Sequence, residues 1–356
     1  MENLDTVPDL NLKSTSRKPE FRIPVAVIGA GHMGRHHARI YHELPEAELV
    51  GVVDSDLGRA EAIARQYGTQ AFASVEPLLG RIKAATVAVP TVAHLAVALP
   101  LIERGIGLLI EKPLAPDSQT CRQLIEAARR SGALLQVGHS ERFNPVVRAM
   151  SRMEVHPRFV ETHRISPFTF RSADIGVVMD MMIHDIDIVL HLVGSKAVRV
   201  EAVGVSVLAQ HEDICNARVT FESGCVANLT ASRLALKTER KIRVFSEEAY
   251  LSLDYQKKVG IAIKKEANLD LLKMAHERNA QDLSQLAGMD FGSMVKVEPL
   301  QVDDVEPLRA EQQSFLRALA TGEPPEVSAE DGAAAVELAE RITAAVKEHD
   351  WQLPAR

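Results

Sequence analysis

The chain has few of the features that would send it out of the cell, into a membrane or onto a nucleic acid. Its three cysteines, Cys121, Cys215 and Cys225, show no CxxC spacing and leave an odd count. That pattern favours a reducing compartment, with core packing as the default role of each thiol. No long apolar run is present to span a bilayer: the longest, from Ala84 to Ile102, is interrupted by Pro90, His94 and Pro100. The opening stretch, MENLDTVPDLNLKSTSRKPEF, is polar and lacks the apolar segment of a secretory signal. With a net charge of −7 and no block of Lys or Arg, a general nucleic-acid binder is disfavoured. What remains is the composition of a globular protein, 46% hydrophobic and 25% charged over 356 residues, enough for two domains of ordinary size. A cytoplasmic location is expected.

Residues 1–20 read as a flexible tail. From Arg22 the pattern changes. Val25-Ala-Val-Ile28 is a short buried-strand run that feeds into Gly29-Ala-Gly31-His32-Met33-Gly34 and then a helical stretch to about Leu44. Leu49–Val53 follows as a strand, ending at Asp54, twenty residues beyond Gly34. This is the strand–turn–helix–strand unit of a dinucleotide site. Gly29 permits the tight turn, Gly31 lets the backbone approach a pyrophosphate, and Gly34 lets helix and strand pack closely. The helix N-terminus offers N–H donors and partial positive charge to phosphates. Asp54 accepts the ribose hydroxyls and repels a 2′-phosphate, so NAD is expected over NADP. Asp56 strengthens that preference and Arg59 opposes it.

Strands and helices continue to alternate. Ala60–Tyr67 is helical, Thr86–Val89 a strand, Thr91–Arg104 a helix, Leu108–Ile110 a strand ending at Glu111-Lys112-Pro113. Asp117 or Ser118 starts a helix closed by Gly132, and Leu134–Val137 is one more strand. Such alternation implies a parallel sheet covered on both faces, with ligands beyond the carboxyl ends of its strands. Pro90, Lys112 and His139 fall just after strands, on that side, and His94 falls in the first turn of the next helix. Lys112 has two readings: an ordinary charge paired with Glu111, or an ammonium that hydrogen-bonds a substrate hydroxyl and titrates near neutrality when desolvated. The proline after it restricts the lysine backbone to extended geometry, which would aim the side chain.

After His139 the rhythm breaks. Glu141-Arg142-Phe-Asn-Pro145 opens a helix and Phe159–Ser166 reads as a strand. A run of strands follows at Val198–Leu208, Asn216–Phe221, Cys225–Leu234, Lys241–Ser246 and Ala249–Asp254. This half reads as an open, mainly antiparallel sheet with helices on one face. Lys264–Pro299 is polar and reads as an irregular excursion, and Leu308–Leu319 and Gly332–Lys347 are amphipathic closing helices. The division expected is a dinucleotide-binding domain over 21–139 and a substrate-binding and oligomerisation domain over 140–356.

Gly176–Gly194, GVVMDMMIHDIDIVLHLVG, is apolar almost all round yet carries Asp180, His184, Asp187 and His191. At about 100° per residue these four share one stripe of a helix, and Asp185 points elsewhere. Buried polar groups need satisfying, so the stripe either hydrogen-bonds into the core or lines a pocket. Asp180 and His184, one turn apart, could chelate zinc with His191 or His139. No Cys/His framework surrounds them and a dinucleotide already supplies the chemistry, so no metal is expected.

Together the GAGHMG turn at 29–34, Pro90 with Thr91 and His94, Glu111-Lys112-Pro113, the Gly176…Asp180…His184…Asp187 stretch, Pro307-Leu-Arg-Ala-Glu311 and Thr321-Gly-Glu-Pro-Pro325 resemble the glucose–fructose oxidoreductase / inositol dehydrogenase / MocA-like family. The likeness runs from about Phe21 to the last helix. It implies an N-terminal Rossmann domain and a C-terminal α/β domain whose sheet commonly builds dimers or tetramers. It also implies NAD(P)-dependent oxidation at a secondary hydroxyl, with Lys112, Asp180 and His184 lining the active site. Asp187 then supports that pair or a neighbouring backbone group, and His191 is a core or interface residue. Val137-Gly-His139-Ser-Glu-Arg142-Phe-Asn-Pro145, His163-Arg164-Ile-Ser-Pro-Phe168 with Arg171, and Met181–Ile188 resemble the branch that oxidises the 3-hydroxyl of UDP-N-acetylglucosamine. The keto product of that branch passes to an aminotransferase for 2,3-diamino sugar in lipid A. On this reading His139 and Arg142, Arg164 or Arg171 meet the substrate, the guanidinium matching phosphate oxygens; ordinary ion pairing is the alternative for each. Other sugars, uronic acids or inositols, a glycoside-cleaving enzyme that retains its NAD, and a non-catalytic dinucleotide sensor are the competing classes. The joint presence of Lys112, Asp180 and His184 argues against the sensor.

Overall fold

The computed structural model describes residues 22–169, 175–265 and 295–349. The expected tail, Arg171 and most of the 264–299 excursion lie outside the described residues. Two sheets organise the chain. The first takes β1 (Ile23–Ile28), β2 (Ala47–Val53), β3 (Gln70–Phe72), β4 (Ala84–Val87), β5 (Gly107–Glu111) and β6 (Leu135–Gly138) in the order β3-β2-β1-β4-β5-β6. Its described pairings are all parallel. This is the doubly wound dinucleotide-binding order, in which the polarity of winding reverses between β1 and β4. The four residues of β4 and the five of β5 are all buried, as expected of parallel strands covered on both faces.

The covering helices are α1 (His32–Glu43), α2 (Leu57–Tyr67), α3 (His94–Ile102) and α4 (Ser118–Ser131). Their boundaries follow from capping chemistry. Asp56 and Asp117 accept from backbone N–H groups at the starts of α2 and α4, and Gly68 and Gly132 end them in the left-handed conformation. All three cysteines are buried free thiols, and burial pushes Cys121 and Cys215 up to about 12 and Cys225 up to about 11.

After a short helix α5 (Pro145–Ser151), the second sheet is built from β7 (Phe159–Ile165), β8 (Ala197–Val205), β9 (Ile214–Phe221), β10 (Val226–Ser232), β11 (Glu239–Phe245), β12 (Ala249–Asp254), β13 (Val259–Lys265) and β14 (Val295–Pro299). Their order is β14-β13-β12-β11-β7-β10-β9-β8, antiparallel throughout except where β7 meets β10. Burial alternates along β7 and β9, so one face is covered and the other open. The expected irregular excursion at Lys264–Pro299 is corrected at both ends. Val259–Lys265 and Val295–Pro299 pair antiparallel as a sheet edge, with Lys265 opposite Val295 and Ile261 opposite Pro299. Lysines at an edge strand keep it soluble and blur the apolar alternation by which strands are read.

The last two helices, Pro307–Thr321 and Ala329–Glu348, return to the first sheet. Phe315 and Leu316 pack into a cluster with Val25, Tyr41 and Leu109. Phe315 is fully buried, and truncating such a side chain costs about 3–5 kcal/mol. The second helix opens with a capping box between Ser328 and Asp331 and lays Gly332 on Val137 of β6. It then runs on to β8, where Arg341 donates to the Ala197 carbonyl at 2.7 Å. One helix thus contacts both sheets.

Candidate active site

The loop from β1 to α1 is shaped by its glycines. Gly29 sits at φ +101°, and a Cβ there would run into the Ala88 carbonyl; one on Gly34 would run into the Gly29 carbonyl. A Cβ on Gly31 would meet nothing within 4 Å, so this residue opens onto the cradle. Gly31 is also the N-cap of α1, and unlike α2 and α4 this helix has no side chain capping its first turn. Its leading N–H groups are therefore available to an anion. Asp54 stands beside the turn, accepting from Ala30 N at 2.7 Å and Asp56 N at 2.9 Å. Asp56 pairs with Arg59 at 3.2 Å, which offsets the nearby cation that would favour a 2′-phosphate. This donor and acceptor set fits a dinucleotide, with the α1 N-terminus for the pyrophosphate and Asp54 for the ribose.

Other residues expected at the cofactor take different places. Thr91 is half-buried and Pro90 exposed, just past β4. His32 is exposed, edge-on to His36, and Met33 is half-buried. His94, as expected, opens α3, but it is buried with its ring nitrogens 3.1 Å from the Leu114 carbonyl and 3.0 Å from the Val89 carbonyl. It fastens two loops to each other. Glu111 is likewise internal, 2.8 Å from His37 Nε2 and accepting from the Lys112 amide at 3.3 Å.

Lys112, Asp180 and His184 come together on one cavity of about 300 Å³, which Glu141, Arg164, Arg233 and Arg240 also line. The Lys112–Pro113 bond is cis. Lys112 Nζ lies 2.7 Å from the Asp180 carbonyl oxygen and 3.5 Å from its Oδ1. The backbone makes this possible: Val178–Met182 forms a π turn before α6 (Ile183–Val193), so Asp180 is not on a regular helical stripe. Burial pushes the Lys112 ammonium below its ordinary value, partly countered by Asp180 and Glu111. Burial also drives His184 well below an ordinary histidine, helped by the charges of Lys112 and Arg164. His184 is thus a neutral imidazole beside an ammonium, and its Nδ1 has no hydrogen-bond partner among the described residues.

The stripe expected at 180, 184, 187 and 191 splits in three. His139 faces His184 edge-on at 6.5 Å, buried with neither ring nitrogen partnered among the described residues. Burial lowers its pKa also. Asp187 is buried and takes both Arg142 nitrogens, at 2.7 and 3.0 Å. Arg142 is therefore engaged in an internal pair, and it lines a different cleft with Arg148, Arg317 and His191. His191, expected as a core or interface residue, is exposed on the described chain and so does not belong to the core. Asp185 turns the other way, as expected, and holds Arg164 at 2.9 Å through both oxygens. Arg164 stays firmly charged: burial would lower its pKa, but Asp185 and Glu141 raise it.

Glu141, Arg233 and Arg240 were not singled out from sequence. Glu141 lies inside the Glu141–Pro145 stretch already noted, so its signal was local. Arg240 has none. It reaches the cavity because β11 pairs antiparallel with β7, setting Arg240 opposite Arg164 across 76 residues of chain (240 − 164).

Comparison with known proteins agrees with this geometry. Residues 23–139 match the oxidoreductase family with an NAD-binding Rossmann fold, and residues 147–252 match the GFO/IDH/MocA C-terminal domain. UDP-N-acetylglucosamine 3-dehydrogenase from Acidithiobacillus ferrooxidans is 34% identical over 299 residues, covering 84% of this chain and 89% of that one. A solved structure of that enzyme superposes with a TM-score of 0.82 at 32% identity, over 92% of this chain and 98% of that one. The scyllo-inositol 2-dehydrogenase (NAD(+)) of Bacillus subtilis is 29% identical over 60% of this chain and 68% of its own. No described helix is long and apolar enough to cross a membrane. A parallel nucleotide-binding sheet, a mostly antiparallel second sheet and the matched models together place the chain in the Gfo/Idh/MocA family of NAD-dependent oxidoreductases.

Proposed function

We propose that the protein oxidises the 3-hydroxyl of UDP-N-acetylglucosamine to the 3-keto sugar, with NAD as acceptor. The observation that carries this reading is the single cavity whose lining brings together a neutral His184, the Lys112 ammonium, Asp180 and guanidinium groups. The similarity to a UDP-N-acetylglucosamine 3-dehydrogenase over 89% of its length supports the choice of sugar.

The chemistry follows from the groups present. Oxidising a carbinol removes a hydride from carbon and a proton from oxygen. NAD, when bound, takes the hydride. The protein's task is the proton. His184, held uncharged by burial and its cationic neighbours, accepts it from the hydroxyl; Lys112 donates a hydrogen bond to the same oxygen and stabilises the charge that develops there. Asp180 holds Lys112 through its carbonyl and carboxylate, fixing the ammonium before substrate arrives. The 3-keto sugar would then pass to an aminotransferase in 2,3-diamino sugar formation for lipid A. The open face of the second sheet exposes Val205, Ile214 and Phe245, which supports assembly of copies through that face.

The test is a panel of UDP-sugars, uronic acids, free sugars and inositols with NAD, followed by NADH absorbance. An aminotransferase with glutamate is included to draw off the ketone. Turnover of UDP-N-acetylglucosamine above the rest is expected; none on any UDP-sugar would overturn the proposal.

A further inference from the structure

The cavity that holds Lys112 and His184 is lined by three arginines, and they are not equivalent. Arg164 spends Nε and Nη2 on Asp185, at 2.9 Å each, and Nη1 on Glu141 at 3.2 Å; its side chain is 4% exposed. Arg233 places Nε 2.7 Å from Asp213 and Nη1 2.7 Å from the Ile175 carbonyl, also at 4% exposure. Drawing either toward a ligand would strip a buried carboxylate of its counterion, and an uncompensated buried charge is costly. Lys112 is bound to Asp180.

Arg240 differs on each count. Its side chain is 46% exposed at the edge of the cavity. Its ion-pair contact is Nη1 to Glu141 Oε1 at 3.3 Å, and its Nε and Nη2 make no hydrogen bond among the described residues. Glu141 does not depend on it, because the same oxygen accepts from Arg164 and the other accepts from Asn144 at 3.2 Å. Arg240 alone among these cations can exchange its partner for an incoming anion while every buried carboxylate stays paired. Glu141 acts as a strut that keeps the two guanidinium groups side by side.

We infer that Arg240 is a specificity residue, binding the diphosphate of a nucleotide-activated sugar at the mouth of the cavity. The assignment rests on the nucleotide-sugar reading above. A planar fork of donors suits bidentate contact with phosphate oxygens, which an ammonium cannot reproduce. Arg240 takes no part in proton transfer; it anchors the diphosphate, so its loss weakens binding of substrate and transition state alike.

The experiment compares wild type, Arg240→Ala and Arg240→Lys, with Lys241→Ala, which lies outside the cavity lining, as control. Calorimetric titration with UDP and with uridine is combined with steady-state turnover of UDP-N-acetylglucosamine. Arg240→Ala should weaken UDP binding and raise KM about tenfold or more, as for a charged hydrogen bond partly open to solvent. It should leave kcat, uridine binding and NAD binding within about twofold. Arg240→Lys should recover only part of the loss, and Lys241→Ala should match wild type. Unchanged UDP affinity and KM in a folded Arg240→Ala or Arg240→Lys protein overturns this assignment alone. If wild type neither binds UDP nor turns over any UDP-sugar, the assignment falls together with the nucleotide-sugar reading.

Discussion

His37 Nε2 lies 2.8 Å from Glu111 Oε1, so α1 of the nucleotide cradle is clasped to the residue immediately before Lys112. The Gln312 amide nitrogen sits 2.8 Å from His37 Nδ1. An amide donating there makes Nδ1 the acceptor and puts the proton on Nε2, which then donates to Glu111. Burial alone would raise Glu111, but the hydrogen bond from His37, with the charge and the amide of Lys112, outweighs it and holds the carboxyl below its ordinary value. A depressed carboxyl contributes stability above the ordinary glutamate range and loses it as pH falls through the folded value. His37→Ala should therefore cost about 1–3 kcal/mol at neutral pH, a gap that narrows on acidification. Thermal unfolding across pH reads this directly. Because Glu111 also receives the Lys112 amide, kcat should fall more than KM for NAD rises.

Glu311 behaves in the opposite sense. It is fully buried, neither carboxylate oxygen has a partner among the described residues, and burial together with the Glu111 charge raises it well above an ordinary glutamate. A raised folded value means its contribution is full below the unfolded value and is lost as pH rises toward the folded one. Glu311→Gln removes that titration. The Tm difference between the variant and wild type should grow in the variant's favour from pH 5 to pH 8; a constant difference would show that folding does not raise Glu311.

The first sheet was legible because its signals are local. An apolar run, a glycine turn and a terminal acid lie within about one βαβ unit, and each has a single physical reading. The candidate site was legible at a strand end, which gave Lys112, and where one element carries several of its residues. Helical spacing put Asp180 and His184 together, but a regular helix also put Asp187 and His191 beside them. The π turn at Val178–Met182 and the depth of Asp187 separated the four, and neither is written in the periodicity. Arg142 and Arg164 looked alike in sequence. What distinguishes them is the carboxylate each meets, Asp187 for Arg142 and Asp185 for Arg164, two buried residues of α6. β13 and β14 were missed because both bear lysines, and what pairs them with each other spans a long stretch of chain.

The Arg142–Asp187 pair is bidentate and 5% and 1% exposed at its two side chains. Removing one charge from such a pair leaves the other buried and costs about 3–5 kcal/mol, whereas replacing both with apolar side chains is far less damaging. Asp187→Asn should lower Tm by about 10 °C, and the double variant Arg142→Met with Asp187→Leu should lower it less than Asp187→Asn alone. A substrate-contacting Arg142 would instead show as a raised KM in the stable double variant.

Asp54 accepts two backbone N–H groups around the glycine turn and still presents its charge to the ribose end of the cradle. Asp54→Ser removes the repulsion toward a 2′-phosphate. The ratio of kcat/KM with NADP to that with NAD should rise about tenfold, roughly 1.4 kcal/mol. The ratio is the diagnostic, since loosening the turn raises KM for both cofactors. A ratio that does not move would mean that the discrimination lies elsewhere in the cradle.

His184 and Lys112 make a coupled prediction about acid sensitivity. His184 is lowered first by burial and then by the Lys112 charge, so it remains a neutral proton acceptor well into acid. The acid limb of kcat/KM should accordingly lie below the ordinary histidine value of 6.5. Lys112→Met removes one of the charges that hold His184 down, so the limb of its residual activity should move up toward that value. The sign follows from electrostatics: deleting a neighbouring cation makes the imidazolium easier to form. Both Lys112→Met and His184→Asn should lower kcat about 10²–10⁴-fold, the usual contribution of a positioned acid or base. His184→Asn should lose the limb altogether. An acid limb that stays in place in both variants would assign it to another group and remove His184 as the proton acceptor.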